Sequence, residues 1–142
     1  IWRTTDAALW SQVGANTLPG RCITSIAVVD SNACRANLTD CTLFATASGF
    51  NAGDALNRSG HVFRSTDGGT TWSVVDGTGL FAFGDVPANK VVVYAGRTYV
   101  ATDVGVVTAT CDASNCSWTN LSGLPGTFVN DVLVHQESGV MR

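Results

Sequence analysis

The chain has 142 residues, enough to bury a substantial hydrophobic core, but only 13% of them are charged and the net charge is −3. Its eight basic residues are spread along the sequence without forming a patch, and no apolar run approaches the length of a membrane span. The sequence therefore predicts neither a nucleic-acid partner nor a membrane span, and Ser, Thr, Asn and Gly must make most of the surface polar, as in many extracellular proteins.

The first predicted element is a strand that enters an acidic turn. Arg3, Thr4 and Thr5 lead to Asp6, and Trp10 follows four residues later. An Asp at the head of a turn can accept hydrogen bonds from backbone N–H groups that would otherwise be unpaired. We therefore expect Asp6 to close a hairpin against which the indole of Trp10 packs.

Two strands are predicted next, at 23–30 and 42–49, with a polar insert at 31–40 between them and a second insert at 50–60. Cys34 and Cys41 bracket the first insert, and we expect a disulfide bond to close it. Asn37 and Asn57 lie in these inserts within Asn-x-Ser/Thr sequons, so they are the candidate glycosylation sites if the source glycosylates.

The central acidic turn follows, from Arg64 to Trp72. Here Ser65 precedes Asp67, and Gly68 and Gly69 can adopt positive φ without steric cost, so the chain reverses within a few residues. A third acidic turn carries Asp112 and then Trp118. Its flanking residues Cys111 and Cys116 are expected to form a second disulfide that replaces the missing glycines.

Segments between the turns repeat as well. Residues 42–49 parallel 98–105, and residues 18–30 parallel 124–135, so each cycle reads strand, strand, strand, acidic turn, strand. The turn aspartates are 67 − 6 = 61 and 112 − 67 = 45 residues apart, and the second spacing fits a four-stranded unit of roughly 40 to 50 residues. No stretch shows sustained helical periodicity, so an all-β fold is predicted.

The central turn resembles the Asp-box, or BNR repeat, whose pattern is Ser/Thr-x-Asp-x-Gly-x-Thr-Trp. Ser65, Asp67, Gly69, Thr71 and Trp72 fill every specified position. Such boxes occur on β-propeller blades of sialidases, xyloglucan-degrading hydrolases and sortilin-type receptors. The resemblance implies one partial β-propeller domain over 1–142, with about three four-stranded antiparallel units near 1–60, 61–105 and 106–142 and an incomplete ring.

The resemblance also assigns roles to the box residues. A box carboxylate that is occupied by backbone donors is structural, and a box tryptophan packs on its hairpin or in the core. The structural Asp-box residues on this interpretation are Asp6, Trp10, Ser65, Asp67, Gly69, Trp72, Asp112 and Trp118.

Catalytic residues of the resembled enzymes are not recognisable in this chain. Sialidases use three arginines, a Tyr paired with a Glu, and an Asp, whereas Glu137 is the only Glu here. Xyloglucan hydrolases use paired aspartates; Asp30, Asp85 and Asp131 could face a cleft, but Asp also commonly ends strands. No catalytic, cofactor-binding or metal-binding residue is predicted, and an enzymatic activity is left open.

Five cysteines indicate an oxidising compartment, and Cys22 is left over, either buried or paired with a part of the protein outside this chain. The leading hypothesis is a secreted or cell-surface propeller segment that acts as a binding or structural module for a protein or a glycan. Two alternatives stay open: a fragment of a glycoside hydrolase whose catalytic residues lie outside this chain, and an architectural subunit of an extracellular filament or layer. The open ends would be covered by remaining propeller blades or by self-association.

Overall fold

A computed structural model describes residues 1–4, 6–18, 22–29, 31–48, 61–76, 78–79, 86–112, 115–121, 126–137 and 140–141. Within them the chain is mostly β, in agreement with the predicted all-β class. Strand β1 (Trp2–Arg3) pairs with β2 (Ser11–Gln12) in an N-terminal hairpin, and β12 (Gln136–Glu137) pairs with β13 (Val140–Met141) in a second hairpin.

Two larger sheets lie between these hairpins. Sheet one contains four antiparallel strands in chain order: β3 (Ile23–Val29), β4 (Thr42–Ala47), β5 (His61–Ser65) and β6 (Ser73–Val74). Sheet two contains β8 (Ala88–Tyr94), β9 (Arg97–Thr102), β10 (Gly105–Cys111) and β11 (Cys116–Asn120), also antiparallel and in chain order. The short strand β7 (Thr78–Gly79) joins the edge of sheet two in parallel with β11.

The predicted cycle of three strands, an acidic turn and a fourth strand is present in both sheets. The Asp67 turn connects β5 to β6, and the Asp112 turn connects β10 to β11. The sheets do not follow the predicted unit boundaries, however, since sheet one runs across the boundary at 60–61. The predicted boundary separates β4 from β5, but β5, which enters the Asp67 turn, pairs with β4 in the same sheet.

The two sheets pack face to face around one apolar cluster. Phe44 and Val62 of sheet one belong to this cluster together with Val91, Val100 and Trp118 of sheet two. The opposite face of sheet one buries a second cluster, in which Ala45, Phe63 and Trp72 pack with Leu18 and Ile1 of the N-terminal segment. The described chain is thus a stack of successive layers: N-terminal segment, sheet one and sheet two.

The strand pairings of sheet one and sheet two can be superimposed. The match they give differs by one residue from the alignment of 42–49 with 98–105 that the sequence repeat predicts. Leu43 pairs with Val28 on one side and Ser65 on the other, and Thr98 holds the corresponding place between Val93 and Ala109. Leu43 is therefore equivalent to Thr98, although the sequence repeat aligns it with Tyr99. Two residues are called equivalent below when they occupy matching positions in the strand pairings of the two sheets and face the preceding layer.

The predicted polar loop at 31–40 is more regular than expected. It contains a short helix, Asn32–Ala36, and a 3-10 turn, Leu38–Asp40. Ser31 accepts a hydrogen bond from the backbone N–H of Cys34 at 3.1 Å, which caps the helix. The exposed Asn37 likewise accepts from the N–H of Thr39 with its side chain, whereas Asn57 lies outside the described residues.

Candidate functional site

The turn between β5 and β6 is held by the side chain of Asp67. Its carboxylate accepts hydrogen bonds from the backbone N–H of Thr71 at 2.9 and 3.1 Å and from the Thr71 hydroxyl at 2.6 Å. The hydroxyl of Ser65 donates to the same carboxylate at 2.8 Å and accepts from the N–H of Gly69. The indole N–H of Trp72 donates to the carbonyl of Gly69 at 2.9 Å, which completes the pinned turn expected from these residue types.

These contacts set the protonation state of the carboxylates. Burial pulls the pKa of Asp67 upward, but the hydrogen bonds from Thr71 and Ser65 outweigh it and hold the pKa below its ordinary value. The pKa of Asp6 is lowered chiefly by the backbone N–H groups of Leu9 and Ala8, which donate at 3.0 and 2.9 Å. Each of these two carboxylates therefore stays ionised because the donors of its own turn stabilise the charge.

The third turn uses its aspartate in the same way. Asp112 accepts the backbone N–H of Asn115 at 2.8 Å, and the turn is closed by the disulfide between Cys111 and Cys116. The other predicted bridge, between Cys34 and Cys41, is also present, and Cys22 is exposed outside both bridges. Both disulfides expected from the sequence are thus confirmed.

The three turn tryptophans differ in burial. Trp72 and Trp118 are 5% and 1% exposed, whereas Trp10 is 58% exposed and is not a core residue of the described structure. The buried two are covered by the layer before them: Trp72 packs with Leu18, and Trp118 donates to the carbonyl of Val75 at 2.8 Å. Trp10 belongs to the first described layer, so no described layer precedes it.

An arginine links each turn to the next. Arg3 donates from Nη1 to the carbonyl oxygen of Gly68 at 2.7 Å, and Arg64 donates in the same manner to the carbonyl oxygen of Asp112. The Arg64 guanidinium also lies 6.0 Å from the ring centre of Phe44. The sequence analysis missed this link, although an arginine three residues before two of the turn aspartates was a usable signal.

A second contact repeats near the starts of β3 and β8. The hydroxyl of Thr24 donates to the carbonyl of Ala88 at 2.6 Å, and the side-chain amide of Asn89 donates to the carbonyl of Val129 at 3.0 Å. Thr24 and Asn89 both lie at a register shift near the start of their strands. Ala88 and Val129 thus accept matching side-chain hydrogen bonds, each from the residue at the register shift of a sheet.

Between the N-terminal hairpin and sheet one lies a groove of about 290 Å³, called the hairpin groove below. Its walls are mostly apolar, and Arg3 is the charged residue among them. The lining includes Trp2, Arg3, Ile26, Val28, Leu38 and Leu43. The equivalent space between the two sheets measures about 170 Å³ and is lined by Phe44, Arg64, Val93 and Thr98, among others.

The remaining candidate residues do not form a cluster in the described part of the chain. Asp131 is exposed and lies 3.8 Å from the amine of Lys90, while Asp30 and Asp85 fall outside the described residues. Among the residues that the structure describes, no group of three or more His, Cys, Asp or Glu is placed to hold a metal ion. None of the helices there has the length and apolar character that a membrane crossing requires.

Comparison of the chain with family models, with curated proteins and with solved structures gives no match. The contacts between layers and the hairpin groove are therefore the basis for assigning a function.

Proposed function

We propose that this chain is part of an Asp-box β-propeller and that it works outside the cytosol as a binding or structural module for a protein or a glycan. The repeated arginine contact is the observation that carries the proposal. Arg3 reaches the Asp67 turn as Arg64 reaches the Asp112 turn, so similar geometry relates successive layers. Antiparallel four-stranded sheets that follow one another in this way are the building units of a propeller.

The inner-strand contact supports the same arrangement. Thr24 donates to Ala88 at the start of sheet two, and Asn89 donates to Val129 in the segment after sheet two, so a similar contact leads from each sheet to the residues that follow it. Two separate contacts that repeat together constrain both the spacing and the rotation between layers. A radial arrangement of blades satisfies that constraint.

A location outside the cytosol is supported by the bridges Cys34–Cys41 and Cys111–Cys116. Structural disulfides form and persist in oxidising compartments and are rare in the cytosol of most organisms. The low proportion of charged residues, 13%, is in keeping with a secreted or surface-displayed protein.

Binding is favoured by the composition of the hairpin groove and of the surface beside it. Trp2, Trp10 and Leu38 are exposed large apolar residues, and Arg3 lies among them. Trp and Arg are enriched at the energetic centres of protein interfaces, and an exposed indole is also a platform for a sugar ring. The carboxylates of Asp6 and Asp67 are engaged by their own turns, which leaves them a structural role.

The proposal can be tested by applying the purified chain to a glycan array and to fractionated extracellular proteins that are identified by mass spectrometry. Trp2→Ala and Trp10→Ala are expected to weaken the binding. Phe128→Ala is the matched control, since Phe128 is also an exposed aromatic but lies beyond sheet two in the chain. Absence of any protein or glycan ligand, together with turnover of a polysaccharide, would overturn the proposal in favour of a glycoside hydrolase.

A further inference from the structure

Sheet one and sheet two do not completely fill the space between them. The space of about 170 Å³ described above, called the intersheet cavity below, is partly open to solvent. Phe44 and Arg64 line it from sheet one, and Val93 and Thr98 line it from sheet two. The strands of Phe44, Arg64 and Thr98 are each paired on both sides. The cavity is therefore formed by the facing surfaces of two described sheets and not by an open sheet edge.

The size of the intersheet cavity limits what it can hold. Drug-sized molecules occupy pockets of roughly 300 to 1,000 Å³, whereas an engineered cavity of roughly 150 Å³ binds benzene. At about 170 Å³ the intersheet cavity takes a molecule of about one ring. A further β-strand with its side chains does not fit in that volume.

The intersheet cavity corresponds to the hairpin groove, one layer further along the chain. Arg64 holds the place of Arg3, and Thr98 is equivalent to Leu43. The groove thus has an apolar side chain where the cavity has a hydroxyl. Thr42 adds a second hydroxyl to the lining. The cavity therefore combines a guanidinium with hydroxyl groups, although the rest of its lining is mostly apolar.

Arg64 is the charged residue of this lining, and its hydrogen-bonding groups are not all satisfied. Its Nη1 donates to the backbone carbonyl of Asp112, a neutral acceptor, and its Nε is buried without a hydrogen-bond partner among the described residues. The ion pair in that part of the chain joins Lys90 and Asp131 and does not involve Arg64. The positive charge of Arg64 is therefore not balanced by a described carboxylate.

These properties define the chemistry of a matching ligand. A buried donor on a charged group is costly to leave unpaired, and a guanidinium fits a carboxylate in a bidentate arrangement. An anion in the cavity would supply both the missing acceptor and the opposite charge. Because Phe44 and Val93 make much of the wall apolar, an anion with an apolar body would cover more of the lining than an inorganic ion.

We propose that the intersheet cavity binds a small carboxylic acid, in its ionised form, whose apolar body is about the size of one ring. Arg64 binds the carboxylate, the hydroxyl of Thr98 donates to the same group, and Phe44 and Val93 contact the apolar body. The Nε of Arg64 is closed to solvent as the side chain lies. Binding therefore turns the guanidinium by a small side-chain rotation that brings this N–H to the carboxylate.

The proposed site is separate from the hairpin groove. Leu43 and Phe44 are neighbours in β4, and successive side chains of a strand point to opposite faces of its sheet. Leu43 lines the groove, whereas Phe44 lines the cavity. The two sites thus lie on opposite faces of sheet one, and the inference does not rest on the proposed function.

A titration of the full, isotope-labelled chain with benzoate, followed by NMR, tests the proposal. Benzamide is the matched probe, because it has the same ring and nearly the same size but no charge. We expect saturable shift changes at the amides of Gly96 and Thr98, with a Kd for benzoate at least about 10-fold lower than that for benzamide. Equal affinities for the two probes, or shift changes confined to residues 1–13, would overturn the proposal.

The concentration range of the titration follows from the size of the probe. Benzoate has about nine non-hydrogen atoms, and even the low ligand efficiency of drug-sized molecules gives a Kd of about 10 mM for that number. Absence of a saturable change up to roughly 50 mM benzoate would therefore overturn the proposal.

Arg64→Gln tests the charged group. It should raise the Kd for benzoate by about 10-fold or more and leave the Kd for benzamide within about twofold. Arg97→Gln is the control, since it removes the same charge from an exposed residue of β9 next to Thr98 that does not line the cavity. Equal losses in the two variants would indicate non-specific attraction to positive charge and would contradict the site.

Val93→Phe tests the cavity itself without changing Arg64. The larger side chain should fill the space and abolish the binding of both probes, while the remaining NMR signals show that the fold is kept. Val74→Phe is the control, since Val74 is 51% exposed on β6, away from the cavity. Undiminished benzoate binding by Val93→Phe would place the ligand elsewhere and overturn the proposal.

The two proposals can fail separately. Benzoate binding by a chain that has no protein or glycan ligand would support the intersheet cavity and contradict the binding role proposed above. A protein or glycan ligand without benzoate binding would support that role and overturn the cavity as a site.

Discussion

Arg3 and Gly68 are 65 residues apart in sequence, yet the guanidinium of Arg3 donates to the carbonyl oxygen of Gly68 at 2.7 Å. The contact joins the first acidic turn to the second. Because a hydrogen bond from a charged donor is stronger than one between neutral groups, it fixes the hairpin over sheet one although the rest of the hairpin is largely exposed.

Arg3→Ala should loosen this hairpin and lower the free energy of unfolding by about 1.5 kcal/mol, the lower end of the range for a hydrogen bond from a charged group. Amide hydrogen exchange should rise in residues 1–13 and at Gly68. Arg97→Ala is the control, since Arg97 is exposed on β9. Equal effects of the two substitutions would contradict the structural role of Arg3.

Gly68→Ala should lower the free energy of unfolding by more than about 2 kcal/mol. Gly68 has φ +67°, and a Cβ there would lie 2.1 Å from the carbonyl oxygen of Leu38. Gly96 has a similar φ of +75° but open space around it, so Gly96→Ala should show only the backbone strain of about 1–2 kcal/mol. Urea denaturation of both variants measures the difference between the two losses of unfolding free energy. That difference reports how tightly the insert at 31–40 packs on the Asp67 turn.

The stability of the protein should depend on the ionisation of Asp67. Its pKa is lowered in the folded state, so the stabilisation is fully present above the unfolded pKa, about 3.9, and is lost as pH falls through the folded value. Asp67→Asn should therefore be less stable than the wild type at pH 7, and the gap should narrow on acidification. Denaturation from neutral pH downward checks this sign.

A double-mutant cycle supplies the control for that measurement. Thr71→Ala removes the hydroxyl that donates to Asp67 and keeps the backbone N–H, so it should destabilise less in the Asp67→Asn background than in the wild type. Additive effects would mean that the two side chains act independently and would argue against the pinned turn.

Trp118→Ala should lower the free energy of unfolding by about 3–5 kcal/mol, because the indole is buried between the sheets and donates to the carbonyl of Val75. Trp10→Ala should change it by less than about 0.5 kcal/mol under conditions in which the chain is monomeric. Chemical denaturation of the two variants gives the comparison. A large loss from Trp10→Ala in a monomer would show that the hairpin packs more tightly than described.

Strand order and the pinned turns could be predicted from sequence, because strand formation and turn closure depend on residues close together in the chain. The strand register could not. The repeat between residues 42–49 and 98–105 is based on similar side chains, and an error of one residue in such an alignment exchanges the two faces of a strand. Only the pairing of Leu43 and Thr98 with their neighbours reveals the offset.

The candidate site was predicted less well, for a related reason. The links from Arg3 and Arg64 connect residues that are 65 and 48 positions apart, and their acceptors are backbone carbonyls, which carry no signal in the sequence. The exposure of Trp10 likewise depends on which layer lies next to it. A local pattern predicts a turn, but the neighbours of that turn are set by the packing of whole sheets.

The short strand β7 follows sheet one in the chain but pairs with β11 in sheet two. Unfolding of sheet one would remove one wall of the apolar cluster between the sheets and would free the segment that carries β7, so it would weaken sheet two as well. We expect the two sheets to unfold together in a single cooperative transition, and an interface of this kind would transmit a mutation in one sheet to the melting of the other.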